Sequence, residues 1–250
     1  MQIVVDNLIT TYERAGKGKI VLLLHGWGDS SKGLRAVADK LRSQYDVVAL
    51  DLPGFGGTQA SDEVWGLDQY ASFVESFCRK LNIRTYGILG HSNGGAIAIR
   101  GLAQGKLHAN KLVLLASAGI RGEYMGRMKA LRYVVKAGKI ITMPLPRRYK
   151  KRLRSNVYKT VGSDMLVAEH MQETFKRVVT DDVRDDAKKL RVDTLLLYGE
   201  QDTATPPVWG RKLHECIEGS TFEEIPAAGH FAHVDQPQAV LAKITGFLNA

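Results

Sequence analysis

Three residues far apart in the chain, Ser92, Asp202 and His230, have the types and neighbours needed to turn a serine into a nucleophile. The serine lies in Gly90-His91-Ser92-Asn93-Gly94-Gly95, between the apolar runs Tyr86-Gly87-Ile88-Leu89 and Ala96-Ile97-Ala98-Ile99. A serine held at a strand-to-helix corner needs small residues two before and two after it, because strand and helix nearly touch there. The corner pushes the hydroxyl out of the sheet. The same turn begins a helix, so the amide of Asn93 sits at a positive helix end and can face a developing oxyanion. A second amide is offered by Leu24-His25-Gly26-Trp27-Gly28, where the two glycines let the backbone around Trp27 approach closely.

A carboxylate and an imidazole complete the set. Gly199-Glu200-Gln201-Asp202 follows the run Leu195-Leu196-Leu197-Tyr198, and a carboxylate on a loop at a strand's carboxyl end is suited to orient a histidine. Asp202 is the choice; Glu200 is its nearest competitor, and Asp193 stands at the wrong end of the strand. Near the C-terminus, Gly229-His230-Phe231 supplies the side-chain type suited to general-base work, whereas His233 lies deeper in an apolar run and is expected to pack. The order Ser92, Asp202, His230 matches one of the known triad orders.

Elements that could hold these residues are readable around them. Short apolar runs at 19–24, 46–51, 87–89, 112–115, 194–198 and 221–225 read as strands, and 33–43, 67–81 and 237–248 carry helical spacing. Strand and helix alternate, which predicts an α/β fold with a mostly parallel central sheet and helices on both faces. The segment 120–185 breaks the alternation. It holds helical patterns at 128–135 and 165–175 with Pro144 and Pro146 between them, and no convincing strand. The expected organisation is a core of 1–119 and 186–250, with 120–185 as a helical insertion over the carboxyl edge of the sheet.

A chain of 250 residues with 44% hydrophobic and 24% charged residues suits one sizeable soluble domain. No apolar stretch approaches the roughly 20 residues that span a bilayer. The first residues read as no secretory signal, and the distant pair Cys78 and Cys216 argues against a disulfide framework, so a reducing, cytoplasmic location is expected. Between Ile120 and Asp185 stand 16 Lys and Arg against 7 Asp and Glu, an excess equal to the whole-chain net charge of +9. The densest part holds Arg147, Arg148, Lys150, Lys151, Arg152 and Arg154. Such a cluster is either a solvated helix face or a grip for an acidic protein or anionic ligand; nucleic acid is not the expected partner.

Taken together, His25-Gly26-Trp27-Gly28, Asp51-Leu52-Pro53-Gly54-Phe55-Gly56, Gly90-His91-Ser92-Asn93-Gly94-Gly95, Gly199-Glu200-Gln201-Asp202 and Gly229-His230-Phe231 resemble the α/β-hydrolase family over nearly the whole chain. The resemblance is to the serine esterase type with a helical cap. It implies Ser92 as nucleophile, His230 as base, Asp202 as its orienting acid, and the amides of Trp27 and Asn93 as an oxyanion hole. No metal or organic cofactor is required. A serine at the elbow departs from the related dehalogenases and epoxide hydrolases, which use a carboxylate there to attack saturated carbon. The implied reaction is hydrolysis of small to medium carboxylic esters through an acyl-enzyme.

The first two motifs are also similar to those of pimeloyl-acyl-carrier-protein methyl ester esterases, whose basic cap holds an acidic carrier protein. The elbow here has His91 and Asn93 where those enzymes typically have tryptophan and leucine. Alternatives are therefore an esterase or thioesterase acting on carrier-bound acyl groups, a carbon-carbon bond hydrolase of ring-cleavage diketones, and a non-catalytic ligand-binding homologue. The carbon-carbon hydrolases usually show asparagine before the serine, where this chain has His91.

Overall fold

The computed structural model describes residues 1–120 and 171–250. In chain order its strands are β1 (Gln2–Val5), β2 (Leu8–Ala15), β3 (Ile20–Leu24), β4 (Asp46–Leu50), β5 (Thr85–His91), β6 (Lys111–Leu115), β7 (Asp193–Gly199) and β8 (Thr221–Ile225). They form one eight-stranded sheet in the order β1-β2-β4-β3-β5-β6-β7-β8. From β4 to β8 every neighbouring pair is parallel, while β1 with β2 and β2 with β4 are antiparallel.

The helices are α1 (Arg35–Leu41), α2 (Leu67–Lys80), α3 (Asn93–Ala103), α4 (Gln172–Val178), α5 (Arg184–Ala187), α6 (Pro207–Cys216), α7 (Ala232–Asp235) and α8 (Pro237–Asn249). The central strands are apolar on both sides because successive side chains point to opposite faces and both faces are covered. In β3, Leu22 and Leu24 enter one core with Val48, Leu50, Ile88, Leu112 and Leu196; helices α2, α3 and α6 add Phe73, Phe77, Ile97 and Leu213. Val21 and Leu23 enter the other with Val47, Leu89, Val113 and Leu195, where α1 and α8 add Val37, Leu41, Val240 and Ile244. Full burial of each such side chain contributes about 1.5–3 kcal/mol.

The antiparallel β1-β2 hairpin adds to the predicted alternation. Its turn is Asp6-Asn7 with φ of 44° and 65°, the paired left-handed geometry of a two-residue hairpin whose twist matches its strands. Within the predicted insertion, 171–185 lies among the described residues and contributes α4 and the start of α5; the 128–135 helical pattern and the Arg147 to Arg154 cluster lie outside them. Cys78 and Cys216 are free and half-buried, and burial pushes the Cys78 thiol up to about 12. Among the described residues no helix is long and apolar enough to cross a membrane.

Candidate active site

Only Ser92 separates β5 from α3, and it holds φ 51° and ψ −117°. A non-glycine residue in that region costs on the order of 1–3 kcal/mol and persists where its surroundings over-determine it. Here they do: Ser92 N–H donates to Leu115 O at 3.0 Å, and Ser92 O accepts from Ala118 N–H at 2.9 Å, tying the corner to the end of β6. The flanking glycines answer to space. A Cβ on Gly90 would lie 2.5 Å from the Gly95 backbone, and one on Gly94 would lie 2.2 Å from Leu24 O. The β3 loop closes against the same corner, since a Cβ on Gly26 would stand 3.1 Å from Ser92 Cβ. Trp27 and Asn93, the two residues expected to offer amides, therefore flank Ser92 on the β3 loop and at the first position of α3.

Asp202 follows β7 and His230 follows β8, and the two meet. His230 Nδ1 lies 2.8 Å from Asp202 Oδ2, with the carboxylate fully withdrawn from solvent. A carboxylate accepts, so Nδ1 carries a proton and donates it to Asp202. The other carboxylate oxygen, Oδ1, accepts from the amides of Ala204 at 2.8 Å and Thr205 at 2.9 Å. Glu200 instead faces the Ala227 amide at an exposed position.

Sequence reasoning did not single out Thr205 or His91. Thr205 Oγ1 lies 2.8 Å from Asp202 Oδ2, 2.9 Å from Ala116 O and 3.1 Å from His230 Nδ1, so one hydroxyl touches the carboxylate, the imidazole and the end of β6. The available signal was the Asp-x-x-Thr spacing, which favours local side-chain bonding in turns. His91 Nε2 donates to the carbonyl of His230 at 3.1 Å and thereby joins the residue before the serine to the backbone of the histidine. The rings of His91 and His230 are 4.9 Å apart. Burial, reinforced by His230 and His233, drives the His91 pKa well below the ordinary histidine value, so the side chain is neutral.

Two further histidines are structural. His25 donates from Nδ1 to Gly26 O at 2.7 Å and accepts at Nε2 from the Leu52 amide at 2.9 Å, fixing the loops after β3 and β4 against each other. His233 is buried and donates to Gly33 O at 3.1 Å, in keeping with a packing role. Trp27 stands edge-on to Phe55 with centroids 4.8 Å apart, and Phe175 of α4 lies 5.1 Å from it. The segment returning from residue 171 thus covers the β3 loop. Among the described residues no group of three or more His, Cys, Asp or Glu is arranged to hold a metal ion.

Comparison with known proteins agrees with this architecture. The model of the alpha/beta hydrolase family matches residues 21–243. An uncharacterized hydrolase of Bacillus subtilis is 26% identical, the alignment covering 95% of this chain and 92% of that protein. The 2-hydroxy-6-oxo-6-(2'-aminophenyl)hexa-2,4-dienoic acid hydrolase of Metapseudomonas resinovorans is 28% identical over 96% of this chain and 87% of its own. An esterase from Exiguobacterium antarcticum superposes with a TM-score of 0.77 at 20% identity, covering 100% of this chain and 99% of that one. With a matched model running from β3 into α8, the chain belongs to the alpha/beta hydrolase family.

Proposed function

We propose that this protein is a serine hydrolase that cleaves carboxylic esters, with Ser92 as nucleophile, His230 as general base and acid, and Asp202 as the group that orients and balances the imidazole. The observation carrying this reading is the 2.8 Å hydrogen bond from His230 Nδ1–H to the buried Asp202 carboxylate. It leaves Nε2 as the ring nitrogen free to take a proton, on a residue tied through His91 to the neighbour of the nucleophile. Ser92 attacks the acyl carbon as its proton passes to His230. The resulting oxyanion is held by the amides of Trp27 and Asn93, each such donor being worth roughly 10²–10³ in rate. His230 then gives its proton to the departing alcohol, and water deprotonated by the same nitrogen releases the acid.

Residues 120–185 form the helical cap in this reading. Its Arg147 to Arg154 cluster suits an acidic carrier or an anionic ester. Hydrolysis that depends on such contacts falls as salt rises, whereas hydrolysis of a small neutral ester does not.

The test is hydrolysis of p-nitrophenyl esters of graded chain length, together with labelling by a fluorophosphonate probe. Ser92→Ala should lose both activities while keeping the fold; turnover retained by that variant would end the assignment. Carbon-carbon bond hydrolysis is the second reading, favoured by the 28% identity to the dienoic acid hydrolase. It uses the same three residues, and a ring-cleavage diketone turned over faster than any ester would select it.

A further inference from the structure

Among the described residues, the side chains of Asn93 and Trp27, the two residues expected to offer amides to the oxyanion, hold buried polar atoms with no hydrogen-bond partner. Asn93 is 3% exposed, and neither its Nδ2 nor its Oδ1 has a hydrogen-bond partner among the described residues. Trp27 Nε1 is buried in the same condition. Buried amide and indole groups in folded proteins nearly always find partners, and an unpaired one is a cost that a leucine or phenylalanine of similar size would avoid. These two belong to the residues that flank the nucleophile on either side.

The direction of the Asn93 side chain follows from its helix. Gly94 faces the backbone of Leu24 and His25, and Gly95 faces Ser117, so both are turned toward the ends of the central strands. One residue of helix is about 100° of rotation, which turns Asn93 away from Gly95 and off the sheet, onto the face it shares with Arg100 two turns later. Cα–Cβ bonds tilt toward a helix N-terminus, so the carboxamide leans back toward the end of α3 that Ser92 begins. Helix α3 is eleven residues long and its N-terminal amides add a positive field at that point.

We infer that the Asn93 carboxamide, with the Trp27 indole N–H as a second donor, is a subsite for an oxygen of the acyl group other than the reacting carbonyl. The favoured substrates then carry an ether, hydroxyl or keto oxygen close to the scissile bond. This rests on the ester-hydrolase reading and narrows its substrate class. A plain alkanoyl chain leaves both groups unpaired, whereas an oxygenated chain pairs them on binding and through the transition state.

The pair 4-nitrophenyl methoxyacetate and 4-nitrophenyl butanoate differs in the acyl chain by oxygen in place of methylene. Their ratio of kcat/KM is measured for the natural protein and for Asn93→Leu, so that intrinsic reactivity cancels between the two proteins. The ratio should fall about tenfold in Asn93→Leu, and the ligand-free melting temperature should hold or rise because an unpaired polar group has gone. Asn93→Ala supplies the same ratio if the leucine variant does not fold, and Trp27→Phe should move it in the same direction. An unchanged ratio with Ser92-dependent turnover intact overturns the subsite and leaves the esterase reading standing. Absence of Ser92-dependent turnover with either ester overturns both.

Discussion

Lowering the pH from 7.5 to 5.5 should destabilise this fold through three histidines, by at most about 4 kcal/mol. His25, His91 and His233 all have pKa values lowered first of all by burial, which penalises the charged ring. His25 Nε2 is already an acceptor for the Leu52 amide, so a proton there would set two donors against each other. In the unfolded chain each histidine titrates near 6.5. The folded pKa lies below the unfolded one, so the unfolded state binds more protons as the pH falls through about 6.5; stability is full above that value and is lost below it. A proton fully excluded over this interval amounts to about 1.4 kcal/mol, so the three together set a ceiling of about 4 against a total of roughly 5–15 kcal/mol for a folded domain. Urea unfolding followed by tryptophan fluorescence at both pH values measures it. His25→Gln cannot take up a proton, so its pH increment should be smaller than that of the natural protein, by up to about 1.4 kcal/mol, whatever its own stability. Equal stability at the two pH values, or greater stability at 5.5, would refute the account of neutral, backbone-bonded imidazoles.

Other consequences are equally direct. Thr205→Val removes the hydroxyl that touches both Asp202 and His230, and kcat should drop about tenfold with little change in KM, while Thr205→Ser keeps most of the rate. Gly94→Ala drives a Cβ into Leu24 O, 2.2 Å away at ideal geometry; thermal melting should register a loss of at least about 2 kcal/mol and esterase assays a large fall in rate. Arg100 binds the half-exposed Asp68 at 2.8 Å and the buried Asp186 at 2.6 Å, so Arg100→Met leaves the Asp186 carboxylate with the longer Lys189 contact at 3.6 Å and should cost about 2 kcal/mol by urea unfolding.

The central strands were legible because burial on both faces leaves a plain apolar signature in β3, β6 and β7. The β1-β2 hairpin was less so. Its exposed positions carry Gln2, Val4 and Ile9, which give no clean polar-apolar alternation, and only the Asp6-Asn7 turn marked it. At the site, residue types and strand ends indicated Ser92, Asp202 and His230, but the choice between Asp202 and Glu200 is a matter of which carboxylate swings inward. That choice is expressed in amide hydrogen bonds from Ala204 and Thr205, which spacing alone does not determine. His91 and Thr205 were hidden for the same reason: their partners are a carbonyl 139 residues away and a pair of side chains drawn from two loops.

The two margins of the 121–170 stretch are each fastened to the core independently of it. On one side Ile120 is buried and Gly119 O accepts from Val183 N–H at 2.8 Å; on the other Met171 packs over Gly54 and Thr174 Oγ1 accepts from the Trp65 amide at 3.2 Å. Fixed seams of this kind make the scaffold a socket. Selection can rewrite the sequence between them, in length or in charge, while Ser92, Asp202 and His230 keep their positions. In the proposed function, recognition and chemistry are thus free to evolve on separate clocks.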